Sequence, residues 1–331
     1  MLARALSMAL ALVAVGCQAS VPVTELTTYT EQDVTYRNGD VQLAALLLVP
    51  DGRGPFPAAV ILQGSGDSDR TNAWSRQWAV ALATHGVAAL LTDKRGSGKS
   101  GGDWKAAGFD VLARDAVAGV EFLRGIRNVR RNAVGVVGLS QGGHVAPLAG
   151  TLSPQVAFVV AVSGASTTAI DQVNHEMRNT FRQAGLDERG VEAGMRLQHL
   201  AANYVRSGEW DPYQQAIQQA LASPLKPVAE GFPQTRDSWV WTWWRLIGEY
   251  DPLPYWKALK VPALVMYGAL DEQDNVPVAE STRRLGEVTG TDLTVRVFPG
   301  AGHALFDPQA TNRSLLPGAV ELLVSWIHRR F

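Results

Sequence analysis

The sequence predicts an α/β protein: a mostly parallel, doubly wound sheet, with an antiparallel hairpin at its start and a helical insertion late in the chain. Three observations carry that expectation. From about residue 33, short apolar runs alternate with longer segments of helical period, the pattern of a parallel sheet covered by helices on both faces. Asn38-Gly39 separates two extended runs, Val34 to Arg37 and Val41 to Val49, as a tight hairpin turn does. Between Val162 and Val261 the alternation stops and the chain turns polar and helical.

Taken in order, the hairpin supplies an antiparallel edge. Ala58 to Leu62, Val87 to Thr92, Ala133 to Leu139, Val156 to Val162, Val261 to Tyr267 and Leu293 to Phe298 are each short and apolar enough for a buried strand. Arg114 to Leu123 places Val117, Val120 and Leu123 on one helical face, and Leu315 to Ile327 closes the chain in the same manner. The domain then runs from 31 to 331, interrupted by the insertion at about 165 to 256. Within the insertion, Asp171 to Gln183, Glu188 to Val205 and Tyr213 to Leu221 read as helices. Six of the ten tryptophans, Trp210, Trp239, Trp241, Trp243, Trp244 and Trp256, fall in it or at its end. Large aromatics give a small helical subdomain enough area to bury. They also suit a lid whose rings line an apolar pocket, since long insertions in compact domains are often functional.

Composition excludes several functions. The chain has 331 residues, 46% of them hydrophobic, enough for a substantial core. Its 30 basic and 31 acidic residues leave a formal charge of −1, so no field gathers nucleic acid or anionic lipid. No internal repeat or low-complexity run is present, and no His or carboxylate spacing suggests a metal site.

Residues 1 to 16 carry Arg4 followed by an apolar run broken only by Ser7, too short for a confident membrane span and suited to an export signal. The only cysteine, Cys17, follows in Val13-Ala14-Val15-Gly16-Cys17, a string that resembles the lipobox of bacterial lipoproteins. That resemblance implies cleavage before Cys17, lipidation of it and, in a Gram-negative cell with Gln18 next, the outer membrane. The alternative is an ordinary signal peptide cut near Ala19. A single cysteine forms no internal disulfide in an oxidising compartment, so a lipid cap accounts for it better than a free thiol. Gln18 to Thr30 reads as a polar tether.

The chemistry centres on Gly138-Leu139-Ser140-Gln141-Gly142, a G-x-S-x-G match whose physical point is a strained strand-to-helix turn that lifts a serine hydroxyl out of the sheet. Gly98-Lys99-Ser100-Gly101-Gly102 fits the same pattern. Context separates the two: Ser140 follows an apolar strand and precedes His144-Val145-Ala146, whereas Ser100 lies among turn-forming residues. Gly96 to Ser100 also hints at a phosphate loop, but Asp93 stands where the first glycine is needed. No nucleotide is expected.

A serine nucleophile needs a base, and the base needs an orienting acid. His303, in Pro299-Gly300-Ala301-Gly302-His303, follows a strand on a flexible loop that can deliver an imidazole to the sheet's carboxyl edge. His85, His144 and His328 read as structural, each within or closing a helix. Asp271 ends the strand through Tyr267, where catalytic groups gather in such sheets; Asp274, three residues on, is its rival. The oxyanion calls for two converging N–H groups. One is that of Gln141, at the start of its helix, and the other lies in Gln63-Gly64-Ser65-Gly66, at Ser65 or Gly66.

Together these segments, with Asp93-Lys94-Arg95-Gly96-Ser97-Gly98-Lys99-Ser100, resemble the α/β-hydrolase superfamily over residues 33 to 331. They are most similar to bacterial serine esterases related to the prolyl-oligopeptidase and serine-aminopeptidase groups. The resemblance implies ester, thioester or amide hydrolysis without a cofactor, a mainly architectural Asp93 to Ser100 loop, and Gln63 in place of a usual histidine. A carboxylesterase acting on a small acyl ester is the leading expectation. The alternatives are an exopeptidase, which needs a carboxylate such as Glu176 or Glu249 for the substrate amine, and a surface lipoprotein that uses the fold only to bind.

Overall fold

The computed structural model describes residues 28 to 331; the expected export signal, Cys17 and most of the expected tether lie outside the described residues. The chain opens with β1 (Tyr29–Asn38) and β2 (Val41–Pro50), then β3 (Phe56–Leu62), α1 (Ala73–Thr84), β4 (Ala88–Thr92), α2 (Phe109–Arg124), β5 (Val129–Leu139), α3 (Gln141–Leu152) and β6 (Val159–Val162). Helices α4 (Ala169–Gln183), α5 (Glu188–Ser207), α6 (Trp210–Leu221), α7 (Lys226–Ala229), α8 (Trp239–Ile247) and α9 (Leu253–Ala258) follow without a strand. The chain then closes with β7 (Ala263–Gly268), α10 (Val278–Leu285), β8 (Leu293–Phe298) and α11 (Pro317–His328).

The eight strands form one sheet in the order β1-β2-β4-β3-β5-β6-β7-β8. Strand β2 alone runs against the others, antiparallel to both β1 and β4, while every other neighbouring pair is parallel. Tyr29 and Thr30, expected at the end of the tether, pair with Pro50 and Val49 instead, because an extended chain beside an open edge satisfies its backbone there.

Strand periodicity sorts the core onto two faces. Ala58, Val60 and Leu62 of β3 face α2 and α3, while Ala59 and Ile61 face Trp78 and Leu82 of α1 and Leu323 and Ile327 of α11. Buried on both sides, strands β2 to β7 read as the apolar runs seen in the sequence. The insertion has a third, separate core, built on Phe181, Met195, Tyr204, Trp210, Tyr213 and Trp241.

Candidate active site

Ser140 stands alone between β5 and α3 with φ of 51° and ψ of −116°, a region L residues avoid. The turn closes so tightly that a Cβ on Gly138 would meet the Gly142 carbonyl oxygen at 2.1 Å, and one on Gly142 would meet the Leu62 oxygen at 2.5 Å. Only glycine fits either position. The strained turn is anchored by the Ser140 N–H, which donates to Val162 O at 2.9 Å, and by the Ser140 carbonyl, which accepts from Gly143 N at 2.8 Å. Ser100, the second match to the pattern, is occupied as a clip: its hydroxyl donates to Asp93 O at 2.8 Å and accepts from Ala44 N at 2.9 Å.

The three separated candidates meet at the carboxyl edge of the sheet. His303 Nε2 lies 3.0 Å from Ser140 Oγ, and His303 Nδ1 lies 2.8 Å from Asp271 Oδ2. Asp271, in a 3-10 turn directly after β7, is fully buried; its other carboxylate oxygen accepts from Asn275 N at 3.2 Å. Asp274 does not reach the imidazole; its carbonyl accepts from Asn179 in α4. Two residues that sequence reasoning missed hold the histidine loop. Ser163 donates to His303 O at 2.6 Å. Trp74 donates from its indole to Ala304 O at 2.9 Å and lays its ring 5.6 Å from the imidazole, centroid to centroid. Trp74 and Ala304 are 230 residues apart, and no local spacing links them.

The other histidines do not reach the serine hydroxyl. His85 pairs with Ala81 O at the end of α1, and His328 with His85 O. His144 is buried between Phe109 and Tyr250. Burial pulls its pKa down to about 4, with only the Thr167 backbone and the field of Asp251 favouring the proton.

Ser65, Ser140 and Gln141 line one cavity of about 270 Å3. Among the described residues, neither the Ser65 N–H nor the Gln141 N–H donates to another group of the chain, so both are free for a developing oxyanion. The loop that carries Ser65 is fixed by Gln63. Its amide donates to Thr92 O at 2.8 Å and Asp69 O at 3.1 Å, and it accepts from the hydroxyls of Ser68 and Ser75. A glutamine with its polar atoms satisfied here does the anchoring that the sequence left open.

The insertion roofs this cavity with Val173, Glu176, Met177, Trp243 and Trp244. Val173, Met177 and Trp244 are shared with a second, largely apolar cavity of about 140 Å3 inside the insertion. The tryptophans divide between the two expected uses. Trp210 and Trp241 build the insertion's core, Trp256 packs beneath it in the main core, and Trp243 and Trp244 face the serine. Trp239 and Trp243 also meet Trp104 edge to face at 5.2 and 5.9 Å, tying the insertion to the loop after β4. Of the two carboxylates considered for a substrate amine, only Glu176 faces the serine. Burial raises its pKa, and nearby His303 opposes that rise. Glu249 pairs with Arg206 at 2.6 Å and lines the second cavity.

Among the described residues no group of three or more His, Cys, Asp or Glu side chains could hold a metal ion, and no helix is long and apolar enough to cross a membrane.

A serine on a strand-to-helix elbow, joined through histidine to a buried carboxylate at the edge of this sheet, is the arrangement of the α/β-hydrolase superfamily. Within it, the chain belongs to the X-Pro dipeptidyl-peptidase (S15 family), whose family model matches residues 38–287. It is 24% identical over 284 residues to esterase EstD of Thermotoga maritima, covering 84% of this chain and 60% of that protein. It is 28% identical over 186 residues to an uncharacterised Pseudomonas aeruginosa protein, covering 53% and 50%. The chain thus spans 50% to 60% of the length of these relatives. Among solved structures, a hypothetical protein from Pseudomonas aeruginosa matches with a TM-score of 0.62 at 20% identity, covering 94% of this chain and 96% of that one. An esterase of Pyrococcus furiosus matches with a TM-score of 0.57 at 19% identity, covering 92% and 91%. At these identities the structural matches establish the fold.

Proposed function

We propose that this protein cleaves carboxylic esters through an acyl-enzyme on Ser140. The observation that carries the reading is the unbroken relay from Asp271 through His303 to Ser140 Oγ, opening on a cavity with a largely apolar roof. Ser140 Oγ attacks the acyl carbonyl as its proton passes to His303 Nε2. Asp271 holds the imidazole in the tautomer that presents Nε2 and stabilises the imidazolium. The Ser65 and Gln141 N–H groups receive the oxyanion. His303 then gives the proton to the leaving alcohol, and water, activated by the same base, frees the acyl group. A relay of this completeness argues against a purely binding role.

A fluorophosphonate probe tests the nucleophile: it should label Ser140, and Ser140→Ala should abolish labelling. Label retained in that variant sinks the reading. The shared wall of Val173, Met177 and Trp244 favours an apolar acyl group, so nitrophenyl esters of rising acyl length should show a rate optimum that Met177→Ala moves to longer chains. An optimum indifferent to Met177 removes the insertion from acyl selection.

The family match and the position of Glu176 favour one second reading, an exopeptidase whose substrate ammonium pairs with that carboxylate. Aminoacyl amides turned over faster than esters, with the preference lost in Glu176→Gln, select it. Export and lipid attachment at Cys17 rest on the N-terminal sequence; incorporation of labelled palmitate that is lost in Cys17→Ser tests them.

A further inference from the structure

We infer that Lys94 is a positioning residue for the oxyanion site, holding the Gly64-Ser65 peptide and the Gln141 side chain from behind with one buried ammonium. This rests on the hydrolase reading above.

Lys94 lies two residues beyond the end of β4 and is only 7% exposed. A lysine is seldom buried unless its donors are used, and here all three are. Lys94 Nζ donates to Gly64 O, to Gly66 O at 2.9 Å and to Gln141 Oε1 at 3.1 Å. Its main chain joins the same loop, with Lys94 N donating to Ser68 O at 3.0 Å. The Trp104 ring lies 5.7 Å from the ammonium and covers it with an aromatic face.

The choice of acceptors gives the contact its meaning. In a trans peptide the carbonyl and the N–H of one plane point in opposite directions. Gly64 C=O and Ser65 N–H belong to the same plane, so fixing that carbonyl on the ammonium turns the Ser65 N–H the other way. Gly64 backs onto the nucleophile: a Cβ there would lie 3.5 Å from Ser140 Cβ. A cation on the carbonyl also draws electron density from the amide nitrogen and strengthens its N–H as a donor, as linked hydrogen bonds polarise one another. Gly66 N–H belongs to the Ser65-Gly66 plane, whose carbonyl Lys94 does not hold. Lys94 therefore selects Ser65 over Gly66 as the donor. Gln141, which supplies the second N–H, is held by the same ammonium through its side chain.

Burial pulls the pKa of Lys94 down to about 7, with Asp67 opposing the shift.

Lys94→Met keeps the length of the side chain and removes the donors. On a nitrophenyl ester its kcat should fall about 10- to 100-fold, below the loss seen when an oxyanion donor is removed outright. KM should stay within about twofold, because the oxyanion contact forms in the transition state. Affinity for a trifluoromethyl ketone, which mimics the tetrahedral adduct, should fall by the same factor as kcat/KM. A wild-type kcat in Lys94→Met, or a fall in kcat without the matching loss of ketone affinity, overturns the assignment.

The structure of the phosphonylated wild type decides the matter if the variant does not fold. Its phosphoryl oxygen should accept from Ser65 N–H and Gln141 N–H with Lys94 still on Gly64 O. An oxygen held by Gly66 N–H, or by Lys94 itself, overturns it. Wild-type protein that turns over no ester overturns the proposed function as well, whereas an active wild type beside an unaffected variant overturns Lys94 alone.

Discussion

Asp271, wholly sealed from solvent, bonds His303 Nδ1 at 2.8 Å, while Asp274 three residues away makes no contact with the ring. The carboxylate sets the tautomer, and a neutral amide in its place would present the wrong ring nitrogen to Ser140. Asp271→Asn should lower kcat about 10^3- to 10^4-fold with the fold intact, and Asp274→Asn should stay within about threefold of wild type. Steady-state kinetics on one nitrophenyl ester, beside circular dichroism, checks both; a fast Asp271→Asn refutes the role given to it.

Trp74 reaches across the molecule to Ala304 O and the His303 ring. Replacement by phenylalanine keeps most of the ring contact but removes the N–H that holds the loop. Because small misplacements of a base are costly, Trp74→Phe should reduce kcat about tenfold while KM changes little. Equal rates for the two proteins would show that Ser163, bonded to His303 O at 2.6 Å, holds the loop without help.

The apolar runs behind β2 to β7 became strands because a strand buried on both faces needs an apolar sequence; β1, polar and largely exposed, was legible through the Asn38-Gly39 turn instead. Helix starts were less legible. The helix expected from Arg114 begins at Phe109, which shares one buried face with Ala113, Ala116 and Val120; the small alanines between Phe109 and Val120 leave that stripe faint over the first turns. Helix α8 was not anticipated at all: Trp239, Trp241, Trp243 and Trp244 stand within nine residues, and an apolar arc so wide, with only Thr242 and Arg245 opposite it, blurs the helical period in so short a segment. Ser140, Asp271 and His303 were legible because each sits at a strand end, where topology brings distant residues together. Lys94 also follows a strand, but in a turn-rich loop that reads as architectural, and nothing in the sequence tells a buried ammonium from a surface one.

Most of that loop is architectural. Arg95 binds Asp115 of α2 through two hydrogen bonds of 2.6 and 2.7 Å, and Asn38 donates to the same carboxylate at 2.7 Å. Both charged side chains are about nine-tenths buried. Arg95→Met leaves the Asp115 charge without its main partner and should cost about 3 kcal/mol in urea unfolding. Adding Asp115→Leu should recover part of that loss, since two apolar groups carry no desolvation debt. A double variant as unstable as the sum of its singles would show that the pair does not interact.

The last expectation concerns acid. His144 titrates near 4 in the folded protein because burial disfavours its charged form, against 6.5 in the unfolded chain. Between those values the unfolded chain binds a proton that the folded one refuses, so stability rises with pH across that window and is lost as pH falls through it. Each unit is worth about 1.4 kcal/mol, and lowering pH from 7.5 to 4.5 should therefore remove about 2 to 3 kcal/mol through this one residue. Other groups titrate over the same range, so the measurement is a difference: urea unfolding of wild type and His144→Leu at both pH values. The variant lacks the proton site and should narrow its stability gap to wild type, or pass it, by that amount at pH 4.5. A gap that does not change with pH would mean that the His144 pocket admits the charge, through water or through rearrangement around Phe109 and Tyr250.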